Sequence, residues 1–388
     1  MGASLESGNL ISFSIGESTY QAGPGMTFSQ WVSSAYNTDG FSLGTNSVIQ
    51  GETYVVLQDE EFARPSDAIE NGYTYKIRTS YIDWYWANSL SVDITFNGLW
   101  EGTLYCSTDL QTWHTIITNE TVISLPIMGH LYFRGINNTK ITGQNAGFTI
   151  FNGKVAYLNN QNYIKGNFET MLDYTSVLNG THPTLGAEAF ETICYSRPVG
   201  DASDSVLPFN TSEKCFRYMF QSSDLYNLPH IPATILSSEC YSGTFSNCNK
   251  LTSINDDALP ATTMAYRCYY YMFGDDVNLT KSPQLLATAL APQCYLYMFY
   301  QCVKLNTLAL LGSTSLSQYC YYGMYYGCTL IKLSTTQSGI YQTAYRIPTI
   351  GTGTDDGNAL SEMFTNTGGT FTGTPSINAT YYTSNSIL

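Results

Sequence analysis

The chain is poor in positive charge: Lys and Arg together number 16 against 30 Asp and Glu, giving a formal charge of −14 over 388 residues. No cluster of basic residues exists that could follow a phosphate backbone, which argues against nucleic-acid binding. Histidine is scarcer still. His114, His130, His182 and His230 are the only four, none lies beside a cysteine pair, and the close C-x₂₋₄-C pairs of structural zinc sites are missing, so no metal is expected. No stretch of 18 apolar residues occurs, so no membrane insertion is expected. The first residues, Met1 to Gly8, carry no basic segment followed by an apolar run, and Ser384 to Leu388 offers no anchor; the expectation is a chain made and folded in the cytosol. The G-x-S-x-G, H-E-x-x-H, P-loop and EF-hand spacings are absent as well.

Carboxylates are plentiful but arranged unhelpfully for catalysis. A glycosidase needs two facing each other across a bond, about 5–10 Å apart, whereas Asp256 and Asp257, Asp275 and Asp276, and Asp355 and Asp356 are sequence neighbours in turn-like segments. The expectation is a protein that is not an enzyme and holds no cofactor. With 43% hydrophobic and only 12% charged residues, the chain is folded and quiet-surfaced rather than disordered.

What the sequence does have is one short phrase written five times. It begins at Cys215, Cys240, Cys268, Cys294 and Cys320, at intervals of 25, 28, 26 and 26 residues. The fullest copies read Cys294-Tyr295-Leu296-Tyr297-Met298-Phe299 to Cys302 and Cys320-Tyr321-Tyr322-Gly323-Met324-Tyr325 to Cys328. A fixed period in the twenties implies a solenoid, since each unit can bury its apolar face only against its neighbours. Counting from the lead cysteine, the apolar positions 0, +1, +4, +5 and +8 gather on one side of a wheel turning ~100° per residue, which predicts a short helix. Leu225, Leu251, Leu279, Leu305 and Leu330 follow, each trailed after three residues by Leu228, Ile254, Leu308 or Leu333 in the copies that keep the spacing; these read as a brief strand and return turn.

On such a helix Cys294 and Cys302 would lie ~12 Å apart along the axis, beyond bridging range. The cysteines therefore read as reduced, buried thiols acting as small hydrophobes. Positions +2, +3 and +6 fall on the opposite side and are rich in tyrosine. Tyr270, Tyr271, Tyr297, Tyr300, Tyr322 and Tyr326 form a candidate ligand-binding ridge, with Tyr218 at its start. Tyrosine offers a broad amphipathic surface with few rotatable bonds, suited to adhesion and glycan stacking. The alternative is that these rings pack on adjacent repeats or on a partner subunit.

Ahead of the repeats lie two further patterns. Residues 1–78 read as a small β-rich module, with a hairpin over Ile11–Ile15 and Thr19–Ala22, a short helix capped by Thr27 that presents Phe28, Trp31 and Val32, and strands at Ser47–Ile49 and Thr53–Leu57. Residues 79–166 read as a β-sandwich of short, evenly spaced strands at Leu90–Phe96, Gly102–Ser107, Thr112–Ile117, Thr121–Leu125 and His130–Gly135, closing in a hairpin at Asn152-Gly153. Residues 167–388 hold the repeats, 215–333 as their core, with an irregular first unit near Cys194-Tyr195 and a C-terminal cap over 334–388. The fold class is mainly β with short helices.

The units Cys-Tyr-x-x-Met-Phe-x-x-Cys-x-x-Leu, joined by Leu259-Pro260-Ala261-Thr262, resemble the BspA-like leucine-rich repeats of gut bacteria and of the phages that infect them. Thr19-Tyr20-Gln21-Ala22 with Gly25 to Val32 and Tyr36-Asn37-Thr38 is similar to an N-terminal module of phage structural proteins. Tyr105 to Asp109 and Trp113, with Tyr132-Phe133-Arg134-Gly135, is similar to the sandwich that precedes such repeats. The sequence departs from the pattern at +8, where Ser223 and Asp276 stand for cysteine.

The resemblance implies a virion structural protein, a head or tail fibre or decoration protein displayed on the particle exterior. It would bind other virion proteins through residues 1–78 and a host glycan or surface protein through the repeats. A homo-oligomer, a trimer first, is the expected assembly. The alternative is a bacterial cell-surface adhesin with the same repeats.

Overall fold

The computed structural model describes residues 10–15, 18–27, 30–31, 53–57, 62–63, 68–72, 74–86, 92–98, 100–118, 121–125, 129–142, 147–151, 162–197 and 199–388. These residues are mainly β, with several sheets, none closed, and one short helix, α1 (Glu169–Leu178). The first sheet takes strands β1 (Ile11–Ile15), β2 (Ser18–Ala22), β3 (Thr53–Leu57), β4 (Phe62–Ala63) and β5 (Thr74–Thr79) in the order β2-β1-β5-β3-β4. Antiparallel β1 and β2 pair Phe13 with Tyr20 and Ile15 with Ser18, the hairpin expected there. The Thr27 cap is also present: its hydroxyl accepts the Gln30 amide at 3.2 Å while the Gln30 side chain accepts the Thr27 amide at 2.9 Å, a reciprocal capping box. It turns Trp31 onto Phe13 and Tyr20, at 5.1 and 5.3 Å between ring centroids. Phe13, Ala22, Trp31, Ile69 and Tyr75 make a small core of their own. The strand expected at Ser47–Ile49, the Asn152-Gly153 turn, Phe28 and Val32 lie outside the described residues.

Eight strands follow: β6 (Ile82–Trp86), β7 (Val92–Asn97), β8 (Thr103–Ser107), β9 (His114–Thr115), β10 (Val122–Leu125), β11 (Gly129–Ile136), β12 (Gly147–Phe151) and β13 (Tyr163–Asn167). A three-stranded sheet, β10-β7-β12, meets a six-stranded one, β14-β13-β6-β11-β8-β9, in which β14 is Ser205–Val206. Phe96 on β7 and Phe133 on β11 touch edge to face across them, 5.8 Å between centroids. Because β14 joins β13 in parallel, this sheet continues past residue 166, and one apolar core runs from Ile82 to Tyr381. Helix α1 packs on β11, where a Cβ on Gly135 would lie 1.9 Å from the Met171 carbonyl oxygen. Its start is pinned by Glu169, buried and accepting from His182 at 2.9 Å and from the Phe209 amide at 3.2 Å.

The helix expected in each repeat is not there. From Lys214 to Ser223 every second amide donates three residues back, as Cys215 to Ser212 and Arg217 to Lys214 do. The amides between them donate forward to the next unit: Phe216 to Cys240 at 2.9 Å, Tyr218 to Ser242 at 3.0 Å, Phe220 to Thr244 at 2.8 Å. Each fourth residue is left-handed, at Lys214, Tyr218 and Ser222, and again at Glu239, Gly243 and Asn247. An α-helix of L-residues cannot hold such a residue in every turn, so the segment becomes a ribbon of turns hydrogen-bonded sideways to its copies.

The same ladder links 188–196, 214–222, 239–247, 267–275, 293–301, 319–327 and 359–365. The irregular stretch around Cys194 and the decayed one around Met363 are thus ribbons like the rest. Their rings form two columns: Phe216, Tyr241, Tyr269, Tyr295 and Tyr321 at +1, and Phe220, Phe245, Phe273, Phe299 and Tyr325 at +5. Neighbouring centroids lie 5.0–5.9 Å apart.

All ten cysteines are buried and free. Cys248, Cys302 and Cys328 point their thiols at the carbonyls of Phe220, Phe273 and Phe299 in the preceding unit, at 3.0–3.1 Å. Burial pushes the thiols of Cys106, Cys215, Cys268 and Cys320 up to about 12, so they stay protonated and unreactive. Leu225, Leu251, Leu279 and Leu305 are buried, but Leu330 is 43% exposed and Ile331 fills its place.

The strand expected after each leucine survives as single parallel bridges, such as Ser253 to Lys281, and as β15 (Thr307–Leu308) and β16 (Leu333–Ser334). On either side of the last ribbon in sequence, β17 (Thr343–Arg346) before it and β18 (Thr380–Thr383) after it join β16 in the order β16-β18-β17. The final strand, β19 (Ser386–Ile387), returns to pair with β15.

Candidate functional site

The ribbons alternate two residues turned into the stack with two turned away from it, although Ser242, Gly243, Ser246 and Leu296 at outward positions are themselves covered. In the first copy Cys215, Phe216, Met219 and Phe220 are buried while Arg217, Tyr218, Gln221 and Ser222 are not. The outward positions of three consecutive units carry the six tyrosines read from the sequence, and the structure brings all six into one layer. Tyr270 meets Tyr271 at 6.0 Å and Tyr271 meets Tyr300 at 5.7 Å. Tyr300 stacks on Tyr326 at 5.2 Å, and Tyr297 touches both Tyr300 and Tyr322, at 5.2 and 5.3 Å. Every ring is half-buried.

The rings lie down along the stack instead of standing off it. A Cβ on Gly323 would fall 2.2 Å from the Tyr297 ring, and one on Gly243 would fall 2.5 Å from that of Tyr218. Both glycines are left-handed, so glycine serves twice at these points, for backbone conformation and for room. The layer extends to Tyr319, 5.6 Å from Tyr322, and to Arg267, whose guanidinium sits 5.3 Å from the Tyr270 ring centre. Sequence reasoning passed over both, although Tyr319 immediately precedes a lead cysteine at a left-handed position.

Hydroxyls line the layer and are partly tied. Tyr271 donates to Asp275, Tyr297 donates to the Tyr322 hydroxyl, which in turn donates to Glu362, and Asn366 donates to Tyr326 at 3.2 Å. Burial raises the hydroxyl pKa of Tyr271 and Tyr297, helped by Asp275 and by the Tyr322 hydroxyl respectively, so both stay neutral as hydrogen-bond donors. The surface is aromatic and edged with hydroxyls, which suits contact with a sugar ring or an apolar side chain.

One or both members of each aspartate pair have local partners. Asp256 pairs with Lys281 at 2.9 Å, Asp355 closes a turn on the Gly357 amide at 3.0 Å, and Asp275 serves Tyr271. Asp276 is wholly buried at +8, where it accepts the Cys248 amide at 2.6 Å and leaves Oδ2 without a partner. Burial raises its pKa well above the usual carboxylate range. Among the described residues no group of three or more His, Cys, Asp or Glu is placed to hold a metal ion, and no helix is long and apolar enough to cross a membrane.

Comparison with protein-family models, with curated proteins and with solved structures gives no match.

Proposed function

We propose that this chain is a virion attachment protein whose repeats form a leucine-rich-repeat solenoid and whose outer tyrosine layer contacts a glycan or protein of the host surface. The observation that carries the reading is the continuity of the layer: six half-buried rings from three units lie in mutual contact on one side of a stack that already buries its own apolar residues. An aromatic expanse of this kind marks an interaction surface. Each stacking contact contributes on the order of 0.5–1.5 kcal/mol beyond area burial, and many copies on one particle would add avidity. Residues 1–78 are assigned to the particle; the separate small core around Phe13 and Trp31 supports an autonomous anchoring module.

Replacing Tyr297 and Tyr300 together by Ser tests the reading, with host-cell binding and thermal melting measured side by side. The expected result is lost binding with melting lowered by no more than about 4 °C. Retained binding, or a collapse of melting with the fold, would overturn it.

A further inference from the structure

We propose that the outer face of the six-stranded sheet is a second binding site, independent of the tyrosine layer, and that it takes an acidic sugar whose carboxylate docks on Arg134. Strand β11 alternates buried and half-buried residues along its whole length. Leu131 and Phe133 therefore enter the core, while His130, Tyr132 and Arg134 emerge on the opposite face. In register beside them, β6 presents Asp83 and Tyr85, and β13 presents Tyr163 and Lys165. The rings form an unbroken chain. Tyr163 stacks on Tyr85 at 4.9 Å, Tyr85 meets His130 at 4.9 Å, and His130 lies parallel to Tyr132 at 5.5 Å. Asp83 fixes the imidazole through a 2.8 Å contact to Nδ1.

Arg134 ends this chain and points to the ligand. Its guanidinium carbon lies 3.9 Å from the Trp113 ring centre and 4.6 Å from that of Tyr174, so the group is clamped between two aromatic planes. Its Nε is buried with no acceptor, as is the indole N–H of Trp113 beside it. No ion pair to Arg134 is found among the described residues, in a chain with 30 acidic side chains against 16 basic ones. Arg217 makes the contrast: it too lies over a tyrosine, yet it is paired with Glu191 at 2.7 Å and approaches Glu239 at 3.5 Å.

An oriented guanidinium fork matches a planar carboxylate, and a row of rings about 5 Å apart with hydrogen-bonding edges matches the apolar faces and hydroxyls of linked pyranoses. Lys165, held by Asp204 at 3.1 Å and 4.7 Å from the Tyr163 ring centre, adds positive charge at the far end.

The test titrates the full chain with oligogalacturonate and 3′-sialyllactose, with the carboxyl-reduced oligosaccharide and lactose as neutral counterparts and a sulfated oligosaccharide as the other anion. Calorimetry and tryptophan fluorescence are the readouts. At least one carboxylated probe should bind saturably, about tenfold or more tighter than its neutral counterpart and than the sulfated probe. Arg134→Gln should weaken it by about tenfold, and Arg134→Lys, which keeps the charge without the fork, by a similar order.

Tyr85→Ala lies away from the Trp113 clamp and should still weaken binding several-fold, on the order of one lost stacking contact. Tyr297→Ser in the repeats should leave this binding unchanged, which separates the site from the tyrosine layer. Absence of binding to both carboxylated probes, equal affinity for their neutral forms, preference for sulfate, or indifference to Arg134→Gln and Tyr85→Ala would each overturn the proposal.

Discussion

Two sets of tyrosines, two residues apart in the repeats led by Cys268 and Cys294, live in different surroundings. Tyr269, Tyr295 and Tyr321 stand in a column at 1% exposure, each ring facing a copy of itself, whereas Tyr271 and Tyr297 lie half-buried across the outside of the same ribbon. Residue type does not decide the difference. The period of the ribbon does, because two residues in and two out repeat every four positions. An inner ring is closed in by copies on both sides, whereas an outer ring such as Tyr300 touches Tyr271 and Tyr326 in the neighbouring units yet keeps part of its surface in solvent, so the inner set makes the stack and the outer set is open for use.

The sharpest way to break this comparison is truncation on either side of it. Phe299→Ala should cost about 3–5 kcal/mol, because it empties a place in a closed column; Tyr300→Ala, the next residue, should cost only about 1 kcal/mol. Chemical denaturation of the two variants measures both, and equal losses would mean that the outer layer is core.

A smaller effect of opposite sign is expected at Asp276, the one carboxylate inside the inner set of +8 positions. Asp276→Cys restores the residue found at Cys248, Cys302 and Cys328 and removes an unsatisfied buried oxygen, offset in part by the lost acceptor of the Cys248 amide, so it should stabilise the chain by up to about 1 kcal/mol at pH 7. The sign with pH follows from the raised pKa. A carboxyl that holds its proton more tightly when folded contributes most below the ordinary aspartate range, and that contribution is lost as pH rises through the raised value. The stability gap between variant and wild type should therefore be smallest in acid and widen toward neutrality; a gap that narrows would refute the assignment.

The smallest effects separate members of the columns from each other. The hydroxyls of Tyr241 and Tyr269 are buried without a partner, whereas that of Tyr325 accepts the Ala309 amide at 2.9 Å. Tyr269→Phe should be neutral or stabilising by up to ~1 kcal/mol, and Tyr325→Phe should cost about 1 kcal/mol. Melting curves of the two would show shifts of opposite direction.

The inward and outward residues were legible in the sequence although the conformation was not. A wheel of ~100° per residue and a ribbon of four differ by only ~10° per step, so over nine residues both bury 0, +1, +4, +5 and +8. The signal that separates them was present at +3 and +7, where Gly243, Gly323, Gly327, Asn247 and Asp275 stand at left-handed positions. Helix α1 was missed because Asp173 interrupts it with extended backbone, leaving no apolar period to read. The six tyrosines were found because they recur within one phrase. The clamp on Arg134 was not, since Trp113, Tyr174 and Arg134 are far apart in sequence and meet only through strand register and the packing of α1.

The forward-donating amides carry one more consequence, for how such a chain can change over generations. The step from one unit to the next varies, from 24 residues between Phe216 and Cys240 to 27 between Tyr241 and Cys268 and 38 between Tyr321 and Ala359. The ladder keeps its alternation through all of them, so the surplus is looped out between ribbons. Inserted or deleted residues between ribbons are thus buffered, while a single residue gained within one would swap every inward donor for an outward one along its length. Relatives of this chain should accordingly differ by whole units or by loop length, with the nine-residue phrase preserved in size even where its letters have drifted.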